Sequence, residues 1–182
     1  MKRGLLIEFI TILVGLGALV LWSQNRPETS VQVDRGHQFF LKSPKGLPCA
    51  TCHAINGEGR AVGPDLTRLA SVVSPRGLMK TIEMTRTVYV QEVETSDGRI
   101  FAGIQNKIAG NVMYVWDLSQ TPPVNIHVKL GDVVSIRENT AWRHPPAEAD
   151  YTAQELADII GFLKNAATGE QHEITPGDLI GK

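Results

Sequence analysis

Apolar positions recur along this chain in three different periods, and the changes of period divide it. From Leu5 to Trp22 the chain is almost continuously apolar, interrupted mainly by Glu8 and Thr11. As a helix those 18 residues span about 27 Å, close to the hydrocarbon thickness of a bilayer. Lys2 and Arg3 precede the run, and its end, Leu19-Val20-Leu21-Trp22-Ser23-Gln24, offers no small-residue cleavage site. An uncleaved transmembrane anchor over residues 1–24 is therefore expected in preference to a cleaved signal peptide. The positive-inside rule puts everything after it beyond the cytoplasmic membrane. Residues 25–33 are polar and unpatterned and read as a linker.

A helical period follows at residues 34–42, where Asp34 is a plausible N-cap and Phe39, Phe40 and Leu41 form an apolar face. The period falls to two at residues 87–95, where Val88, Val90 and Val93 alternate with polar partners. Ser96-Asp97-Gly98 is hairpin punctuation, and residues 99–105 read as the return strand. Further strands are expected at residues 111–117, 124–129 and 133–137, divided by Pro122-Pro123 and Gly131-Asp132. Helical spacing returns with Leu156, Ile159, Ile160 and Leu163 at i, i+3, i+4 and i+7. Thr152 and Glu155 have the spacing of a capping box, and Gly169 is a stop signal. The tail, residues 169–182, carries no recognisable chemistry.

Composition adds two constraints. A formal charge of −1 gives no general attraction to nucleic acid. The two cysteines are three apart, in Cys49-Ala50-Thr51-Cys52-His53, so no other thiol exists to pair with them. C-x-x-C-H is the attachment signature of c-type haem: each thiol forms a thioether with a vinyl group, and the histidine becomes the proximal iron ligand. A structural zinc site would need further Cys or His ligands at similar spacing. A thioredoxin-like pair does not call for the adjacent histidine. The motif therefore predicts one covalently bound haem c with Cys49, Cys52 and His53 as its attachment and ligand residues.

The glycines of the following stretch, Gly57, Gly59 and Gly63, let backbone run close to a flat ring. A metal-bound histidine needs an acceptor for its second ring N–H, and the carbonyl of Pro64 is the candidate. With Gly57-Glu58-Gly59-Arg60-Ala61-Val62-Gly63-Pro64-Asp65-Leu66-Thr67 after the motif, the chain resembles class I cytochrome c. More narrowly it resembles the bacterial haem-binding domains best known from planctomycetes. Ser74-Pro75-Arg76, the turn Asp97-Gly98-Arg99-Ile100-Phe101-Ala102-Gly103 and the closing segment from Glu155 to Leu163 match that family's later elements. The resemblance covers residues 34–164. It implies a mainly α cytochrome c domain over residues 34–168, interrupted by a small antiparallel β insertion at about residues 86–137. The insertion reads as a structural cover or docking surface. With the anchor, the expected location is the bacterial inner membrane, single-pass, with the haem domain on the periplasmic side.

The family carries Met-Pro before its closing helix, and here His144-Pro145 stands in that place. His144 is thus the leading candidate for the second iron ligand. Met79, Met84 and Met113, His127 and an open iron remain alternatives. Trp142 and Arg143 flank His144, where one is placed to pack on the porphyrin and the other to pair with a propionate. His37 and His172 read as solvated side chains. An iron held by two protein ligands has no site for substrate. The expected activity is outer-sphere electron transfer by a membrane-anchored monohaem cytochrome rather than an enzyme. Its expected partners are redox proteins and subunits of a respiratory or photosynthetic membrane complex, with the membrane reached through the N-terminal helix. The alternative is a haem-based sensor whose distal histidine is displaced by a ligand.

Overall fold

The computed structural model describes residues 28–145 and 151–180. In order, the elements are α1 (Glu28–Leu41), a 3-10 turn (Cys49–Thr51), the two-residue strands β1 (Ala54–Ile55) and β2 (Glu58–Gly59), α2 (Leu66–Val72) and α3 (Pro75–Glu83). Strands β3 (Gln91–Thr95), β4 (Ile100–Ala109), β5 (Val112–Asp117) and β6 (Val124–Lys129) follow. A 3-10 turn (Leu130–Asp132), β7 (Val133–Glu138), α4 (Ala153–Thr168) and α5 (Pro176–Leu179) complete the chain.

Two expectations are corrected at this level. The domain is not mainly α: strand residues make up 26% and helical residues 37%, so the class is mixed α/β. The reason is that the inserted strands form an antiparallel sheet of order β6-β5-β4-β3-β7 with a core of its own. The second correction concerns the inner-membrane, single-pass location. Among the described residues no helix is long and apolar enough to cross a membrane. The anchor expected at residues 1–24 lies outside the described residues. Part of the expected linker differs too, since residues 28–33 are the first turns of α1.

The sheet curls for a geometric reason. In a flat five-stranded sheet the edge strands lie about 19 Å apart. Here only Leu130, Gly131 and Asp132 join the edge strands β6 and β7, and a link of that length reaches at most about 14 Å. The two edges therefore approach one another, and Val93, Phe101, Met113, Val115 and Val128 fill the space enclosed. Ser96 N–H donates to Asp132 O at 2.8 Å and Leu130 N–H to Asn111 O at 3.0 Å, which fastens the connection at both sides.

The helical half is organised by α4, which is buried from Leu156 to Leu163. The stripe formed by Leu156, Ile159 and Leu163 faces a cavity, while the opposite side carries Asp158, Gly161 and Phe162 against α1. Close approach of the two helices needs Gly36, where an added Cβ would stand 2.0 Å from the Asp158 carbonyl oxygen. The crossing also buries a polar cluster. Asp158 accepts from Arg35 Nε at 2.7 Å, from Gln32 Nε2 at 3.2 Å and from Gln154 Nε2 at 3.0 Å. Gln32 bonds the backbone of Ile174 in both directions, at 2.7 and 2.9 Å. The tail is thereby part of the fold, with Ile174 and Leu179 in the helical core.

Loss of the Asp158 carboxylate removes one of the two acceptors of the buried Gln32 amide and the carboxylate that pairs with the half-exposed Arg35. Asp158→Ala is expected to lower stability by about 2–3 kcal/mol, read as a shift of the urea midpoint. An unchanged midpoint would show that the cluster contributes nothing. The capping box of α4 gives a pH signature. The Lys45 ammonium and the Thr152 N–H together hold Glu155 at about 2, whereas an unfolded Glu titrates near about 4.3. Between those values the unfolded chain binds the extra proton, so stability falls as pH drops from about 4.5 to about 2. Glu155→Gln should flatten that part of an acid-unfolding curve.

Candidate haem site

The first 3-10 turn winds the cysteine motif so that its three functional side chains leave one side. Cys49 O accepts from both Cys52 N–H at 3.1 Å and His53 N–H at 2.8 Å. The chain then returns across the motif: Val62 and Gly63 N–H both donate to Cys52 O, at 3.1 and 2.7 Å. That return carries Pro64 to the ring of His53, whose Nδ1 lies 2.8 Å from Pro64 O. A carbonyl only accepts, so Nδ1 holds the proton and Nε2 keeps its lone pair. Gly63 is needed for the same approach, because an added Cβ would stand 2.9 Å from His53 Cε1. Burial pushes the His53 pKa down, the Pro64 bond opposes that shift, and the nearby His144 adds to it. The imidazole is therefore neutral, the form that binds a metal. Both thiols are free. Burial pushes Cys49 up to about 11 and raises Cys52 as well.

His144 reaches the same place from the opposite end of the chain. Asn139 Oδ1 accepts from the N–H groups of Ala141 and Trp142, at 3.1 and 2.8 Å, and so shapes the loop after β7. His144 N–H donates to Thr85 O at 2.7 Å, which straps that loop to the segment after α3. Its ring repeats the arrangement of His53, with Nδ1 2.7 Å from Pro145 O. The two ring centres are 5.8 Å apart. Two imidazoles that share one metal through bonds of about 2 Å have centres about 6 Å apart. The spacing thus fits two nitrogens on one iron.

No protein-family model matches this chain, and no curated protein matches it. The site is therefore read from its own residues.

Two cavities flank the histidine pair, of about 320 and 220 Å³, and both are lined by Cys49, His53, Tyr89 and His144. The larger penetrates the helical core between Phe40, Leu69, Leu78 and Ile159. The smaller takes its far wall from the β-sheet half, through Ile104, Leu118 and Pro123. Arg60 holds that wall in place: its Nη2 donates to Pro123 O at 3.0 Å and its guanidinium lies 5.1 Å from the Trp116 ring. A flat apolar macrocycle with one polar edge suits such a divided slot, so the residues present fit a haem.

Cys49, Cys52, His53, Gly63, Pro64, Trp142 and His144 are brought together, and Trp142 stands edge-on to His144 at 6.2 Å. Arg143 also borders the smaller cavity, but its Nη1 is spent on Thr140 O and Trp142 O, at 2.7 and 2.8 Å. The His127 ring lies 4.4 Å from that of Tyr114 on the sheet, tilted against it, and His37 bonds Glu58 at 2.9 Å; neither lines these two cavities. Met113 belongs to the sheet core. Sequence reasoning did not single out Thr85, Tyr89, Arg60 or Ile104. Tyr89 and Ile104 fell within expected strands, and nothing local marks the other two.

Gly63→Ala should push the His53 ring away from Pro64. The loss of about 1 kcal/mol in that hydrogen bond predicts roughly fivefold faster exchange of the Nδ1 proton, measured by nitrogen-edited NMR. Unchanged ring resonances would count against the close packing.

Proposed function

We propose that this protein is a monohaem c-type cytochrome that carries electrons by outer-sphere transfer. The observation that carries the reading is the pair of imidazoles, each held by a proline carbonyl at Nδ1 and 5.8 Å from the other between two apolar cavities. Cys49 and Cys52 would anchor the group through thioethers, and His53 and His144 would ligate its iron from the two faces. When bound, the haem supplies a one-electron couple.

The remaining work falls to the chain. Pro64 and Pro145, as acceptors of the Nδ1 protons, fix the tautomer of each ring and raise the basicity of its free nitrogen. The apolar wall from Phe40 to Ile159 excludes water from one side of the slot, and Ile104, Leu118 and Pro123 cover the other. Two nitrogen ligands would favour a potential below that of a thioether-ligated haem, and the water-poor pocket would offset part of that difference. With His53 and His144 both holding the iron, the site would need no substrate position, and its partners would be other redox proteins. Surfaces of that kind are small and exchange rapidly.

Covalent haem is checked by the pyridine haemochrome spectrum of the denatured protein, which should show one thioether-linked haem per chain and none in Cys49→Ala/Cys52→Ala. The oxidised wild-type protein should lack the sulfur-to-iron band near about 695 nm, and His144→Ala should change its spectrum. Ready binding of carbon monoxide to the reduced wild-type protein at neutral pH would instead support a sensor.

A further inference from the structure

The methionines of the described residues differ in what their sulfur is used for. Met113 is fully buried in the sheet core, and Met79, 9% exposed, packs in the helical core. Met84 is 61% exposed and yet lines the larger cavity together with His53 and His144. It is the residue at which α3 ends, its N–H 3.2 Å from Thr81 O. The next carbonyl, Thr85 O, is the acceptor for His144 N–H at 2.7 Å. Met84 and His144 therefore sit on two chain segments fastened to each other at this point, and both side chains border one cavity. An unbranched thioether with three rotatable bonds is well suited to reach across such a space. It is also a good iron ligand.

We propose that Met84 is an alternate axial ligand, which takes the position of His144 when His144 withdraws. The inference rests on the haem reading above. In the exchange the bond from iron to His144 Nε2 breaks and one from iron to Met84 Sδ forms. No electron is transferred and no proton moves, since the His144 ring turns away with its Nδ1–H in place. The Thr85–His144 strap keeps the change local. The centre then has two potentials, the higher one with the thioether bound.

The test uses the haem-loaded full chain as wild type, His144→Ala and His144→Ala/Met84→Leu. Pyridine haemochrome spectra come first: absence of covalent haem from the wild type overturns the haem reading and this inference with it. With haem present, oxidised His144→Ala should gain absorption near about 695 nm and a more positive potential than wild type. The double variant should lose that band and bind added imidazole at least about tenfold more tightly than the single variant, its sixth position being free. Where the alanine variant does not hold its fold, His144→Gln keeps the bulk of the loop and reads the same band. A haem-loaded protein in which neither His144 variant shows a sulfur band, or in which the band survives Met84→Leu, overturns the role of Met84 and leaves the haem reading intact.

Discussion

The structure depends on two imidazole rings, each held by a proline carbonyl of its own segment, being brought to one place. Each ring donates a hydrogen bond from Nδ1–H to a proline carbonyl, Pro64 for His53 and Pro145 for His144. A proline carbonyl next to a ring has no N–H of its own residue to compete for it, and the backbone before it is stiff. The proton is fixed on the outer nitrogen of each ring, and the lone pair on the other. Everything else in the fold brings these two nitrogens to a common space and keeps water from it.

Both halves of the molecule contribute to that space. The helical half supplies α4 as a two-sided element: one side crosses α1 through Gly36 and the Asp158 cluster, and the other presents Leu156, Ile159 and Leu163 to the cavity. Lys164 Nζ, bonded to Ala70 O and Val73 O at 2.8 and 3.2 Å, ties α4 to the end of α2. The sheet half closes on its own core and lends its outer side, through Ile104, Leu118 and Pro123, as a wall. Arg60, only seven residues beyond His53, bridges the halves, so the segment that positions His53 also positions the wall facing it. The β insertion is in this sense a part of the pocket.

Local chemistry was legible wherever a residue acts on its immediate neighbours. The capping box of Thr152 and Glu155, the left-handed Gly169 after α4, the Asp97–Gly98 turn and the bond from His53 to Pro64 are each made within a dozen residues. Residues 87–90 alternate as a strand should, but β3 starts only at Gln91. Val88 and Tyr89 border the larger cavity instead, and both stay exposed to solvent. The stripe of α4 was visible as a period, but its second buried side was not. Asp158 and Gly161 read as polar and small, and only the partner helix explains them. The mixed class of the fold was missed because short strands taken one by one look like a minor insert. Their weight appears when the sheet closes and gains a core.

By itself the sequence determined the local motif: two thiols and a histidine at fixed spacing on one tight turn, with a proline carbonyl eleven residues on to fix the ring. It also determined the elements whose caps and turns are local. The tertiary structure decided which residue faces His53. His144, Met84, Met113 and His127 are alike in ligand chemistry, and they are separated by position alone. Met113 is enclosed in the sheet core, His127 lies tilted against Tyr114, and the Thr85 strap brings His144 and Met84 to one cavity. Contacts between segments some sixty residues apart are set by packing and loop closure, which no local spacing encodes.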